Sequence, residues 1–124
     1  VKRILLIEDD PSVRLFMAKV LGRAGYRVTE AGEGAEGLRL QRDEPADLII
    51  TDLIMPGKEG LETIMELRRQ FPLVKVVAIS GGGRNKAGDY LPVAKKLGAN
   101  RTLAKPFLPA DLLSVVAELL NGEP

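Results

Sequence analysis

Neither cysteine nor histidine occurs among the 124 residues. The first absence removes disulfides and thiolate metal sites and agrees with a cytoplasmic location. The second removes histidine-based triads, histidine metal sites and histidine general bases from this chain. A run of about 18 apolar residues, the signature of a membrane span, is also missing, and the opening "VKRILLIEDD" lacks the pattern of a signal peptide. The formal charge of +1 gives no overall reason to expect nucleic acid or a membrane as partner. Linkers, internal repeats and low-complexity tracts are absent too. What remains is a composition 45% hydrophobic and 28% charged, that of one globular domain able to bury a core, with boundaries expected at 1 and 124.

The pattern along the chain is regular. Short apolar, β-branched runs recur as "RILLI" (3–7), "YRVTEA" (26–31), "DLIIT" (47–51), "VKVVAI" (74–79) and a weaker "RTLA" (101–104). Stretches with helical spacing lie between them. Val13, Phe16, Met17, Val20 and Leu21 share one face, as do Leu61, Ile64, Met65 and the apolar stem of Arg68. Leu112, Val115, Val116, Leu119 and Leu120 mark the last helix, whereas 34–43 shows a face only at Ala35, Leu38 and Leu40. Asp10-Pro11 predicts an N-cap followed by proline at the first helical position, Pro109 repeats the proline half, and Gly22, Gly98 and Gly122 suit helix ends. Alternation of strand and helix five times over predicts an α/β fold, a parallel sheet covered on both faces.

Ligands of such sheets sit beyond the carboxyl ends of the strands. Strand one delivers Glu8, Asp9 and Asp10 there, strand three Asp52, strand four Ser80 followed by Gly81, Gly82 and Gly83, and strand five Lys105 and Pro106. Each has a plain reading when taken alone: acidic residues after a strand cap helices, and Asp followed by Pro and Gly makes turns. Their convergence on one edge says more. Carboxylates brought together repel and raise one another's pKa, and a divalent cation relieves this. Oxygen ligands without nitrogen or sulfur suit Mg²⁺ or Ca²⁺, and a site of two or three carboxylates that leaves room for water and phosphate oxygens favours Mg²⁺. With a lysine and a hydroxyl added, the set is equipped for phosphoryl transfer onto Asp52 as nucleophile.

"LLIEDD", "DLIMPGKEG", "AISG" and "LAKPF", in that order and at those strand ends, resemble the motifs of the receiver domains of two-component response regulators, of the chemotaxis-regulator-like kind. The resemblance covers essentially the whole chain. It implies a flavodoxin-like, doubly wound five-stranded parallel sheet with strand order 2-1-3-4-5. It further implies phosphorylation of one aspartate from the phosphohistidine of a sensor histidine kinase or phosphotransfer protein. Asp52 matches the phosphoacceptor, Asp9 the direct Mg²⁺ ligand, Glu8 a ligand acting through water, and Ile54 the backbone carbonyl of the metal site. Lys105 and Ser80 match the groups that meet the phosphoryl oxygens, with a cis peptide after Lys105 aiming its amine. Asp10 is assigned to the cap of the first helix. A monomer or weak homodimer is expected, acting on a protein target or an attached output domain, with no direct contact to nucleic acid or membrane.

Two positions depart from the family. Thr102 stands three places before Lys105, where an aromatic ring is usual, so a swinging ring is not available to report the state of Asp52. The segment "SGGGRNKAGDYLP" (80–92) makes the distance from Ser80 to Lys105 a few residues longer than usual, with the excess in glycine, and lacks the spacing and lysine of a P-loop. From Arg84 to Lys105 the chain carries six basic residues against Asp89 alone, a solvated face by default and otherwise a contact for an acidic partner or a second copy. Alternative readings are a receiver used only for protein binding, against which the filled positions Asp9, Asp52 and Lys105 argue, and a Mg²⁺-dependent phosphohydrolase. The latter needs a second aspartate two places after the nucleophile, where this chain has Ile54. An apolar residue there also leaves nothing to orient an attacking water, so slow loss of the phosphoryl group is expected.

Overall fold

Near-continuous runs of Leu, Ile and Val fit strands buried on both faces, and the chain folds accordingly in a computed structural model that describes residues 1–53, 59–80 and 92–121. The strands are β1 (Arg3–Ile7), β2 (Arg27–Ala31), β3 (Leu48–Asp52), β4 (Lys75–Ser80) and β5 (Arg101–Ala104). All pairings are parallel, and the order across the sheet is β2-β1-β3-β4-β5, as expected. The helices are α1 (Pro11–Arg23), α2 (Gly34–Asp43), α3 (Glu59–Gln70), α4 (described over 92–97) and α5 (Pro109–Asn121). β3 and β4 each run one residue past the predicted end, because the ladder continues through Asp52↔Ile79 and Ser80↔Ala104.

Successive side chains of a strand point to opposite faces, so each central strand feeds two layers. Ile4, Leu6, Leu48, Ile50, Val77 and Ile79 meet Met17 and Leu21 of α1 and Leu112, Val115 and Val116 of α5. On the other face, Leu5, Ile7 and Ile49 pack with Leu67 of α3, while Val76 and Ala78 meet Ile64 of α3 and Ala94 of α4. Each fully buried Leu or Ile contributes about 1.5–3 kcal/mol relative to exposure, so these two layers carry the fold.

Local signals place the helix ends. Asp10 is the N-cap of α1: its Oδ1 accepts from the amides of Ser12 (2.9 Å) and Val13 (3.3 Å), and Pro11 fills the first helical position. Such a cap is worth about 1 kcal/mol. Pro109 is the first residue of α5. Gly98, with φ +129, ends α4 as predicted, but the left-handed residue after α1 is Gly25 (φ +101), and Gly22 lies inside the helix. Gly122 falls outside the described residues.

Packing narrows two of the expected faces. Phe16 and Met65 are 50% and 53% exposed, because α1 sends Met17 and Leu21 into the core and α3 sends Ile64 and Leu67. Phe16 instead borders an open apolar groove with Val13, Pro106 and Phe107. The weakly patterned α2 has the predicted bounds, yet it buries Gly34, Gly37 and Gln41 and exposes Ala35. The Gln41 amide explains its own burial, accepting from the Ala46 amide (2.9 Å) and donating to the Ala46 carbonyl (3.3 Å).

Gly60 has a packing role next to Asp52. A Cβ there would lie 2.6 Å from Leu53 Cα and 2.7 Å from the Leu53 carbonyl oxygen. Backbone cannot rotate away as a side chain can, so α3 approaches the end of β3 this closely only with glycine. Gly60→Ala is therefore expected to lower stability by about 1–3 kcal/mol, although alanine is the better helix former by roughly 1 kcal/mol. Urea unfolding of the two proteins measures the difference, and a variant as stable as the parent would contradict the close approach.

Candidate functional site

Register brings the charged strand ends together. Ile7 lies beside both Ala31 and Thr51, Asp52 beside Ile79, and Ser80 beside Ala104. Main-chain bonds extend each ladder one step further: the Glu8 amide donates to the Ala31 carbonyl (3.0 Å), the Leu53 amide to Ile79 (2.7 Å) and the Lys105 amide to Ser80 (2.9 Å). Glu8, Asp52, Ser80 and Lys105 are thereby set at one edge by sheet geometry. Glu8, Asp52 and Ser80 are buried, Lys105 is half-buried and Asp9 is exposed.

Among the described residues, Lys105 brings an ammonium to both buried carboxylates. Its Nζ donates to Asp52 Oδ2 at 2.8 Å and to Glu8 Oε1 at 3.3 Å. The Lys105-Pro106 peptide is cis, as expected, and the amine faces Asp52. Burial alone would lower the lysine pKa, but the hydrogen bond and charge of Asp52, helped by Glu8, outweigh it and raise the value. The Glu8 pKa is raised as well. Burial, then a hydrogen bond with Asp52, then the Asp52 charge push its pKa from 4.5 to about 7, against the Asp10 amide and Lys105. Among the described residues, two carboxyls and one ammonium share the space, an excess of negative charge that a proton or a cation relieves.

Oxygen atoms of Glu8, Asp9 and Asp52 lie within 4.8 Å of one another. An all-carboxylate donor set with an unrelieved charge fits a hard divalent cation of the Mg²⁺ or Ca²⁺ kind and suits soft metals poorly. Asp10, occupied as a helix cap, stands apart from this set. Ile54, the expected carbonyl ligand, lies outside the described residues, as do Gly81, Gly82, Gly83, Tyr90 and Leu91. Thr102 is half-buried on β5, opposite Ala78.

The basic stretch divides. Lys95 and Lys96 are exposed on α4, and Lys95 Nζ donates to the Asn100 carbonyl (3.2 Å). Arg101 pairs with Glu118, while Lys105 turns inward; Arg84 and Lys86 lie outside the described residues. One residue at the edge escapes a reading by motif. Arg14 of α1 donates to the Glu8 carbonyl at 2.7 Å. Helical side chains lean toward the amino end of their helix, and that is the signal by which a residue four places after the cap could have been connected to Glu8.

The raised Glu8 pKa carries a stability consequence. The folded state holds the Glu8 proton more tightly than the unfolded chain, so this stabilisation is full below about pH 4.5 and is lost as pH rises through about 7. Glu8→Gln keeps the shape and removes the charge. In metal-free buffer its melting temperature is expected to exceed that of the parent by a few degrees at about pH 8 and by little at about pH 5. A gap that does not change with pH would contradict the shift.

The geometry agrees with comparisons to known proteins. Residues 4–117 match the family model described as the response regulator receiver domain. The response regulator receiver protein CpdR of Brucella abortus is 34% identical over 96% of this chain and 97% of its own length. The sensor kinase CckA of the same organism is 33% identical over 97% of this chain, which spans only 13% of that kinase. Among solved structures, a CheY-like receiver domain protein from Methanospirillum hungatei superposes with a TM-score of 0.86 at 28% identity, covering 98% of this chain and 94% of the other. The sheet order, the acidic cluster at its carboxyl edge and these matches lead to one conclusion: the chain belongs to the response regulator receiver domain family, signalling domains of two-component systems.

Proposed function

We propose that Asp52 is the phosphoacceptor of this receiver domain, taking a phosphoryl group from a phosphohistidine of a sensor histidine kinase or phosphotransfer protein. The observation that carries this reading is the contact of Lys105 Nζ with the buried Asp52 carboxylate at the sheet edge, 2.8 Å apart. In the transfer, an Asp52 oxygen forms a bond to phosphorus as the bond from phosphorus to the donor imidazole breaks, and the imidazole nitrogen keeps the electron pair. Charge then sits on the three equatorial oxygens. Lys105 follows the charge from the carboxylate to a phosphoryl oxygen, and Ser80, one residue beyond the partner of Asp52 in the ladder, donates its hydroxyl to another. Glu8, Asp9 and Asp52 would hold Mg²⁺, which supplies neutralising charge at the same oxygens when bound.

Because the only bond made is to its own carboxylate, the domain assists its own phosphorylation and dephosphorylation and is not an enzyme acting on other substrates. Modification adds negative charge at a buried strand end, and drawing Ser80 toward it biases the surface reached by the chain after β4. The partner surface so altered, a protein target or an attached output domain, belongs to the same proposal. So do a cytoplasmic setting, a single domain over 1–124, and a monomeric or weakly dimeric state. For the described residues, no helix is long and apolar enough to cross a membrane.

Incubation with Mg²⁺ and acetyl phosphate is expected to give a single phosphoryl mass adduct that is lost under the mildly alkaline hydroxylamine treatment that cleaves acyl phosphates. Asp52→Asn, which removes one of the repelling carboxylates, is expected to keep the fold, with equal or greater stability, and to take no label. Labelling of this variant at the parent level would overturn the assignment.

A further inference from the structure

Arg14 sits one turn into α1, its amide bonded to the Asp10 carbonyl (2.9 Å). An arginine there would ordinarily be a solvated surface charge. Here its guanidinium is pulled back along the helix and caught from several sides. Nη1 donates to the Glu8 carbonyl at 2.7 Å, and Nε donates to Glu30 Oε1 at 3.3 Å from the end of β2. A Cβ added to Gly32 would lie 3.5 Å from Nη1, so the group also packs against the turn after β2. Its side chain retains 24% of its exposure.

The Glu8 carbonyl lies where the β1 ladder has ended and the α1 cap has not begun. The Glu8 amide is fixed by Ala31 (3.0 Å), Oε2 accepts from the Asp10 amide (3.1 Å) and Oε1 accepts from Lys105 (3.3 Å). Arg14 adds a constraint on the peptide that joins Glu8 to Asp9, through the Glu8 carbonyl. Orientation of that peptide decides where the Asp9 side chain points, and Asp9 is the exposed member of the acidic set.

We infer that Arg14 is a positioning residue for the cation site: by bridging the Glu8 carbonyl and Glu30, it holds the Glu8-Asp9 peptide so that the Asp9 carboxylate faces Glu8 and Asp52. The inference rests on the proposed function, since it assigns a role toward the cation that the three carboxylates would hold. The planar fork of arginine is what the role requires, because its nitrogens reach two acceptors at fixed separation. Lysine offers the same charge on a single nitrogen.

Arg14→Lys is the informative variant, as it keeps the charge and the apolar stem and so the conditions for folding. Groups that orient metal ligands typically cost tenfold or more in affinity when removed, and Mg²⁺ binding followed by calorimetry is expected to weaken roughly tenfold in this variant. Leu119→Ala, which trims a partly buried side chain near the carboxyl end of α5, serves as the control for lost stability. It is expected to lower the melting temperature at least as much while leaving the Mg²⁺ dissociation constant at the parent value. With acetyl phosphate, Arg14→Lys is expected to need more Mg²⁺ for half-maximal labelling but to approach the parent rate at saturation. Parent-like Mg²⁺ affinity in Arg14→Lys, or an equal loss of affinity in Leu119→Ala, would overturn the positioning role alone. A parent protein that binds no Mg²⁺ would overturn the cation site of the proposed function and this inference with it.

Discussion

Among the described residues, two carboxyl groups buried side by side with a single ammonium set the terms for the rest of this protein. Glu8 and Asp52 are each almost inaccessible to solvent, and Lys105 reaches both. Burial makes charge costly, and pairing repays that cost only where geometry is good. Burial first, and then the hydrogen bond and charge of Asp52, account for the raised Glu8 pKa. Such a site favours whatever restores balance: a proton, a divalent cation, or a rearrangement of the lysine when new oxygens arrive. On the proposed reading, signalling exploits this sensitivity.

The parallel sheet is what makes the arrangement affordable to build. Side-by-side strands running the same way end at the same edge, so residues remote in sequence converge without any long loop having to find them. Glu8 and Lys105 are ninety-seven positions apart in the chain and 3.3 Å apart in space. The apolar layers on both faces lie immediately below, so small changes at the edge meet a core that does not deform smoothly. Gly60, pressed against Leu53, continues this stiffness into α3.

Elements whose chemistry is local were legible in the sequence. The apolar runs announced the strands, Asp10-Pro11 announced the start of α1, and the strand-end positions of Asp52, Ser80 and Lys105 announced the edge, because a parallel sheet turns strand order into proximity. Details that depend on how elements sit against each other were not. Periodicity marks the centre of a buried stripe and not its width, so Phe16 and Met65 passed for core. A glycine carries no hydrophobic signal, and the close approach of Gly60 to Leu53 emerges only when helix meets strand. Arg14 has the look of any helix-surface charge until the β2 end is placed beside it.

The central claim is that Asp52 carries the phosphoryl group while Lys105 follows it, and a crystal structure with Mg²⁺ and beryllofluoride, a phosphoryl mimic, tests it most directly. The account predicts beryllium attached to Asp52, Lys105 Nζ and Ser80 Oγ each within hydrogen-bonding distance of a fluoride, and Mg²⁺ among Glu8, Asp9 and Asp52. Attachment to a different carboxylate, or Lys105 still paired with Asp52 and Glu8 and turned from the fluorides, would contradict it.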